Sequence, residues 1–197
     1  IALNFNRVHF EWRRGSKGGY GVSMDARTER YRPDVTIAEM RVVKRDLPVY
    51  TYTDRKGRDS WTVASRALGK GGSRWLPVRK PAQYAGEVFR SLARSNGITL
   101  PVAKVVQSLS GNTTTLAVAQ SASLDKLLRN MLKYSNNLMA EMIGLTATRR
   151  RQGRRPASLK SSATEMSRWA ASTLGMGRAK LVDHSGLGDA SRMTADE

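Results

Sequence analysis

Cysteine is absent from the 197 residues, so disulfides and thiolate metal sites are excluded. Histidine is nearly as scarce. His9 and His184 stand far apart, neither with a second ligand at metal spacing, so a metal site is not expected. No apolar run approaches the roughly 18 residues of a membrane span. No charged-then-apolar leader follows Ile1, and the last residues, Thr194 to Glu197, carry no stop signal of their own. The expectation is a chain without a signal peptide, or with one removed, and a piece of a longer protein. Acidic residues are the other shortage, 16 against 34 lysines and arginines, for a net charge of +18. That excess favours anionic partners: nucleic acid, anionic lipid or an acidic wall polymer. Its densest point is Arg149-Arg150-Arg151 with Arg154-Arg155. No Gly-aromatic signature or helix-turn-helix spacing accompanies it, which argues against a dedicated nucleic-acid reader.

What is present reads as globular: 40% hydrophobic residues and 25% charged. Residues 1–12, IALNFNRVHFEW, alternate in polarity and slip phase near Asn6-Arg7, as a bulged strand would. Residues 35–43 form a second β-rich run. LPVYTY and SWTVAS flank Asp54-Arg55-Lys56-Gly57, a hairpin with a four-residue turn. Gly69 to Gly72 read as a glycine break, and the first seventy residues as mostly antiparallel sheet. The period then becomes helical. Pro81 opens a helix through Tyr84, Ala85, Val88, Phe89 and Leu92, and Asn96-Gly97 stops it. An extended stretch over 98–118 contains the turn Ser110-Gly111-Asn112. Leu124, Leu127, Leu128, Met131 and Leu132 make an i, i+3, i+4, i+7, i+8 stripe, predicted to be buried. A second apolar set runs from Leu138 through Met139, Met142 and Ile143. A third helix is expected over about 161–174, with Ala163, Met166, Trp169, Ala170 and Thr173 inward and Gly175 and Gly177 ending it. A short apolar strand and a turn-rich tail follow. The fold class is α+β, with a β-rich region over 1–118 that includes a helix near 81–95, and a helical region over 119–197.

Ser135-Asn136-Asn137 interrupts what would otherwise be one amphipathic helix. Either Ser135 or Asn136 simply caps the next helix, or a hydroxyl and an amide two residues apart serve chemistry at an exposed loop over 135–137. Ser123-Leu124-Asp125-Lys126 fits an SxxK nucleophile motif literally, but Ser123 reads better as an N-cap with Asp125 in the first turn. In Asp183-His184-Ser185-Gly186-Leu187 an acid, a histidine and a serine are adjacent. Neighbours in sequence rarely array around one substrate, so a triad is not expected.

Taken together, RWLPVR with PAQYAGEVFRSLARSNGI, SASLDKLLRNMLKYSNNLMAEMI and LVDHSGLGDASRMTA, in that order, resemble the D-alanyl-D-alanine carboxypeptidase/endopeptidase family, the class C low-molecular-mass penicillin-binding proteins. IALNFNRVHFEW resembles a strand of that family's inserted β-rich region. The resemblance implies the helical part of a penicillin-binding-protein/serine β-lactamase-like transpeptidase domain after that insert. It implies Ser135 and Asn137 as the SxN element, relaying a proton and holding the substrate amide, and Asn136, Asp183, Ser185 and Gly186 as substrate-binding residues of the site floor. Peptidoglycan stem peptides and β-lactam antibiotics are the implied partners, with no nucleic acid and no cofactor, and the implied location is periplasmic or otherwise extracytoplasmic. Peripheral association with an anionic membrane or wall surface fits the charge. Two departures stand out: His184 where the family usually has glycine, and Gly188 where it usually has serine. The family's SxxK, expected before the β region, and its KTG, expected after the Ser-Gly-Leu turn, are not among these residues, so the chain alone is expected to be inactive. The alternative reading is a basic noncatalytic module that binds polyanions.

Overall fold

The computed structural model describes residues 2–108 and 111–196; the predicted turn at Ser110 therefore falls partly outside the described residues. The chain forms two compact units, Ile1–Thr113 and Thr114–Glu197.

Among its described residues the first unit carries two three-stranded sheets. In one, β1 (Arg7–Arg14) lies between β2 (Tyr20–Asp25) and β6 (Gly71–Pro77), antiparallel to both. In the other, β5 (Arg58–Ala64) lies between β3 (Ala38–Val43) and β4 (Tyr50–Arg55). Among the described residues three of the four strand pairings are antiparallel, as the sequence predicts for this region, and the β3–β5 pair is parallel. Parallel pairing needs a long crossover, and the β4 hairpin supplies it. That hairpin closes more tightly than predicted: Arg55 pairs with Arg58, leaving Lys56 and Gly57 as a two-residue turn with φ of 49° and 78°. Positive φ at both positions matches the right-handed twist of the flanking strands.

The opening segment is also corrected. Asn4–Asn6 form a short 3-10 turn at positive φ, so the phase slip is a turn before the strand and not a bulge within it. The predicted glycine break is partly strand. Gly71 and Gly72 begin β6, and a Cβ on Gly72 would come within 2.7 Å of the Trp12 indole that covers it. Helix α1 (Pro81–Ser95) runs from its proline to the Asn96-Gly97 stop, as the sequence predicts. Its Tyr84 and Val88 join Val8, Phe10, Met40, Trp61, Val63, Leu76 and Val78 in the core. Phe89, placed on the predicted apolar stripe, is 67% exposed. Residues 98–106 run as irregular chain beside α1, and Ala103 packs over Gly86.

The second unit holds α2 (Leu124–Tyr134), α3 (Asn137–Gln152) and α4 (Leu159–Leu174). The α2 stripe is present as a helical face but none of it is buried, and Leu132 is 76% exposed, contrary to the predicted burial. Periodicity sets a helix's apolar face; only a neighbouring element can cover it. In α4 the buried residues are Ser162, Ala163 and Ala170, while Trp169 and Thr173 face outward. The helix is rotated from the predicted face because Ser162 points inward to donate to Thr148 Oγ1, 2.7 Å away. Its start is set by Ser158 and Ser161, each side-chain oxygen accepting from the other's backbone N–H (3.1 and 3.0 Å), two residues before the predicted start. The predicted strand after α4 is reduced to a single antiparallel bridge between Lys180 and Arg192. Its two 2.8 Å hydrogen bonds close the loop that carries Asp183 to Gly188.

A candidate active site at the head of helix α3

The helix break at Ser135 has two parts. Ser135 ends α2 in the left-handed conformation (φ 49°), exposed, with its backbone N–H and that of Asn136 returning to the carbonyls of Leu132 and Met131. A non-glycine residue adopts that conformation at a cost; here it terminates α2 and redirects the chain. Asn136 then caps α3, its Oδ1 accepting from Met139 N–H at 3.1 Å. Of the two capping options in the sequence, Asn136 takes the role, and its carbonyl oxygen is committed to it. Asn137 is already the first residue of α3, half-buried, so the loop is one residue shorter than predicted. The Ser135 hydroxyl and the Asn137 amide thus stand at the positive end of the α3 dipole, a first turn without acidic residues. Unpaired backbone N–H groups there favour negative charge on a ligand.

Asn137, Glu141, Gly144 and Thr148 follow at i, i+4, i+7 and i+11, one face of α3. The 183–188 loop lies along this face. Glu141 accepts from the backbone N–H groups of both His184 (3.2 and 3.3 Å) and Ser185 (3.1 Å). The His184 ring lies directly over Gly144, where any Cβ would collide with the ring carbons. His184 Nε2 is 2.8 Å from Ser162 Oγ. Since Ser162 gives its proton to Thr148, it accepts from Nε2–H of His184. Nδ1 faces Met166 Sδ at 3.2 Å. His184 is thereby a strut between α3 and α4. Ser162 is fully buried with its hydroxyl spent, so neither belongs to a nucleophilic pair.

Asp183 points its carboxylate back into its own loop, Oδ1 accepting from Gly186 N–H (2.8 Å) and Oδ2 from Gly188 N–H (2.5 Å). It shapes the turn. A Cβ at Gly188 would come within 2.5 Å of Val182 Cγ2 and 2.7 Å of the same carboxylate, so a larger residue there would shift both side chains. Ser185 is half-buried and Gly186 exposed. The structure therefore brings Ser185 to within one helical turn of Asn137, through Glu141. It gives Asp183 and Asn136 local structural bonds. Glu141, Gly144, Thr148 and Ser162 escaped the sequence reading. The available signal was the small-or-polar spacing 137/141/144/148 on a helix whose apolar residues lie elsewhere.

Ser123 occupies the N-cap position of α2 but its hydroxyl does not cap. It bonds Asp125, and this bond holds the Asp125 carboxyl below the usual carboxylate range. Among the described residues no group of three His, Cys, Asp or Glu is placed to hold a metal, and no helix is long and apolar enough to cross a membrane.

Three comparisons bear on this geometry. The model of the family described as D-Ala-D-Ala carboxypeptidase 3 (S13) matches residues 62–197. Carboxypeptidase Rv3627c of Mycobacterium tuberculosis is 36% identical over 118 residues, 59% of this chain and 24% of that protein. Penicillin binding protein 4 (dacB) from Haemophilus influenzae, solved in complex with a novel β-lactam, superposes with a TM-score of 0.66 at 18% identity. That match covers 95% of this chain and 43% of that one. A second structure of the same protein gives a TM-score of 0.64 at 17% identity, covering 96% and 42%. The likeness to both is one of α+β fold. The chain spans about a quarter of the length of the curated relative and less than half of these solved chains.

Proposed function

The chain belongs to the D-Ala-D-Ala carboxypeptidase 3 (S13) family, and from that membership we propose that it carries the SxN part of a serine-type D-Ala-D-Ala carboxypeptidase/endopeptidase acting on peptidoglycan stem peptides outside the cytoplasm. The observation that carries this reading is the head of α3: an exposed serine hydroxyl and an asparagine amide two residues apart, braced by Glu141 against the 183–188 loop.

In this reading a serine of an SxxK motif, supplied from outside these 197 residues, attacks the carbonyl of the penultimate D-alanine. The terminal D-alanine leaves as an amine, taking its proton by way of the Ser135 hydroxyl, while Asn137 holds the substrate amide. Water then attacks the acyl ester and restores the serine. Two lower barriers replace one high barrier. Ser185 and Gly186 line the floor beside Asn137, Asp183 holds that floor in shape, and Asn136 fixes the helix that presents both. β-Lactams enter the same site and stop at the acyl stage. No metal or organic cofactor takes part. The basic surface associates with an anionic phase next to the wall.

The test is the rate of acylation by a fluorescent penicillin, measured on the longest form of the protein that labels, for Ser135→Ala and Asn137→Ala. Each is expected to slow acylation by ~100-fold or more, since a positioned proton relay typically contributes that much, with the melting temperature unchanged. Parental rates in both folded variants would reduce the tripeptide to a helix cap. The 197-residue chain by itself is expected not to label, and stable labelling at Ser123 would return the nucleophile to the SLDK segment.

A further inference from the structure

Between Glu141 and Glu165 the chain has no acidic residue and six cations: Arg149, Arg150, Arg151, Arg154, Arg155 and Lys160. All six are exposed, and among the described residues none forms an ion pair. The fold then concentrates them. The first three stand on the last turn of α3, Gly153 reverses the chain at positive φ, and Arg154 and Arg155 precede the Ser158 cap of α4. Among the described residues no carboxylate pairs with any of them, and only the C-terminal end of α3 offers the first three a favourable field. Lys160 adds a cation in the first turn of α4, the end of a helix that favours anions. Such a cluster contributes little to folding, and it is complementary to a surface of negative charge.

Beside the arginines is a cleft of about 600 Å³, lined by Leu145, Thr146, Arg149, Arg155, Pro156 and Leu159 among others. Apolar side chains flanked by guanidinium groups suit the boundary between headgroups and acyl chains. A single-stranded nucleic acid would require aromatic stacking platforms, and no aromatic residue occurs between Tyr134 and Trp169. A soluble phosphate polymer would leave the apolar members of the patch without a role.

We propose that the α3–α4 hairpin is a membrane-docking surface that adsorbs to anionic phospholipid headgroups. This deepens the extracytoplasmic reading of the site and rests on it for the identity of the membrane face. The geometry ties the two together. Asn137 opens α3 and Arg149 stands twelve residues on, roughly 18 Å along the axis at 1.5 Å per residue. Docking by the arginine end leaves the Ser135–Asn137 end projecting away from the bilayer, toward the wall.

The experiment is cosedimentation of the purified chain with vesicles of phosphatidylcholine containing about 30% phosphatidylglycerol, and with phosphatidylcholine alone, at ~0.1 M salt. Each basic residue near an anionic surface is worth roughly fivefold in partitioning. The variant R149Q/R150Q/R151Q/R154Q/R155Q is therefore expected to lose at least ~10-fold. The matched control R13Q/R14Q/K17Q/K44Q/R55Q, with the same loss of net charge from exposed positions in the first unit, should lose less than about threefold by the same principle. If the fivefold variant fails to fold, R150Q/R151Q/R154Q replaces it, since these three do not line the cleft. Equal losses in patch and control variants would overturn the proposal in favour of diffuse charge. So would binding to phosphatidylcholine alone, or displacement from the vesicles by duplex DNA or polyphosphate at equal phosphate concentration. Penicillin labelling of the labelling-competent form, read on the same patch variant, should not change. Its failure in every form of the protein would remove the enzymatic reading while leaving the vesicle result to stand.

Discussion

A methyl group at residue 144 has nowhere to go. The space over the Gly144 Cα is filled by the carbons of the His184 ring, which is itself pinned by Ser162 and Met166. Gly144→Ala is expected to destabilise the second unit by ~1–3 kcal/mol, as overpacking does. In a His184→Ala background the same change should cost nothing, and the helix gains up to ~1 kcal/mol from replacing glycine. Urea denaturation of the four proteins completes the cycle; strictly additive effects would show that the ring is not the obstacle. In the first unit His9 is the residue of consequence. It is buried edge-on to Trp75, with no hydrogen-bond partner for its Nδ1 among the described residues. Burial first, then the Arg27 guanidinium, lowers its pKa below 6.5, against the pull of Asp25 and Glu11. The unfolded chain takes up a proton near pH 6.5 and the folded one resists it. Stability from this group is therefore complete above about pH 6.5 and is lost as pH falls through the lowered folded value. In a Trp169→Phe background, tryptophan fluorescence reports the first unit, which holds Trp12, Trp61 and Trp75. Between about pH 7.5 and 5.5 the parent should lose more stability than His9→Gln; parallel pH profiles would show that His9 is not the sensor.

The elements divide into those fixed by local signals and those that depend on neighbours. Asn136 belongs to the first kind: its side chain satisfies the Met139 N–H at the head of α3. Asn136→Ala should cost ~1 kcal/mol, the usual loss for an N-cap. Leu132 on α2 is periodic but 76% exposed, so Leu132→Ala should cost less than ~0.5 kcal/mol in the same chain. A core leucine would cost ~2–5 kcal/mol. Chemical denaturation ranks the two directly, and a larger loss at Leu132 would mean that α2 has a partner in solution.

For the whole molecule, the contrast is between two compact units and the chain around their boundary. Residues 114–123 form no helix or strand, and Leu116 and Val118 are 95% and 75% exposed. Protease susceptibility follows local opening, which here requires no unfolding. Thermolysin at low ratio is expected to cut first within 114–122, with fragment masses read by mass spectrometry. First cuts inside α3 or α4 would contradict the packing of the second unit.

The sequence by itself determined whatever rests on neighbours in the chain. Pro81 and Asn96-Gly97 bound α1, Gly175 ends α4, residues 48–64 form a hairpin, and ordered blocks of residues mark the carboxypeptidase family. These signals act over a few residues, through φ preferences, caps and missing donors. Tertiary structure alone decided the parallel pairing of β3 with β5, the inward turn of Ser162 in place of Trp169, and the Glu141 brace under Ser185. Each joins residues 14 to 44 positions apart, as Ser162 to Thr148 and Ser185 to Glu141. No local preference records such a meeting, because its free energy exists only once both partners have been brought out of water and into contact.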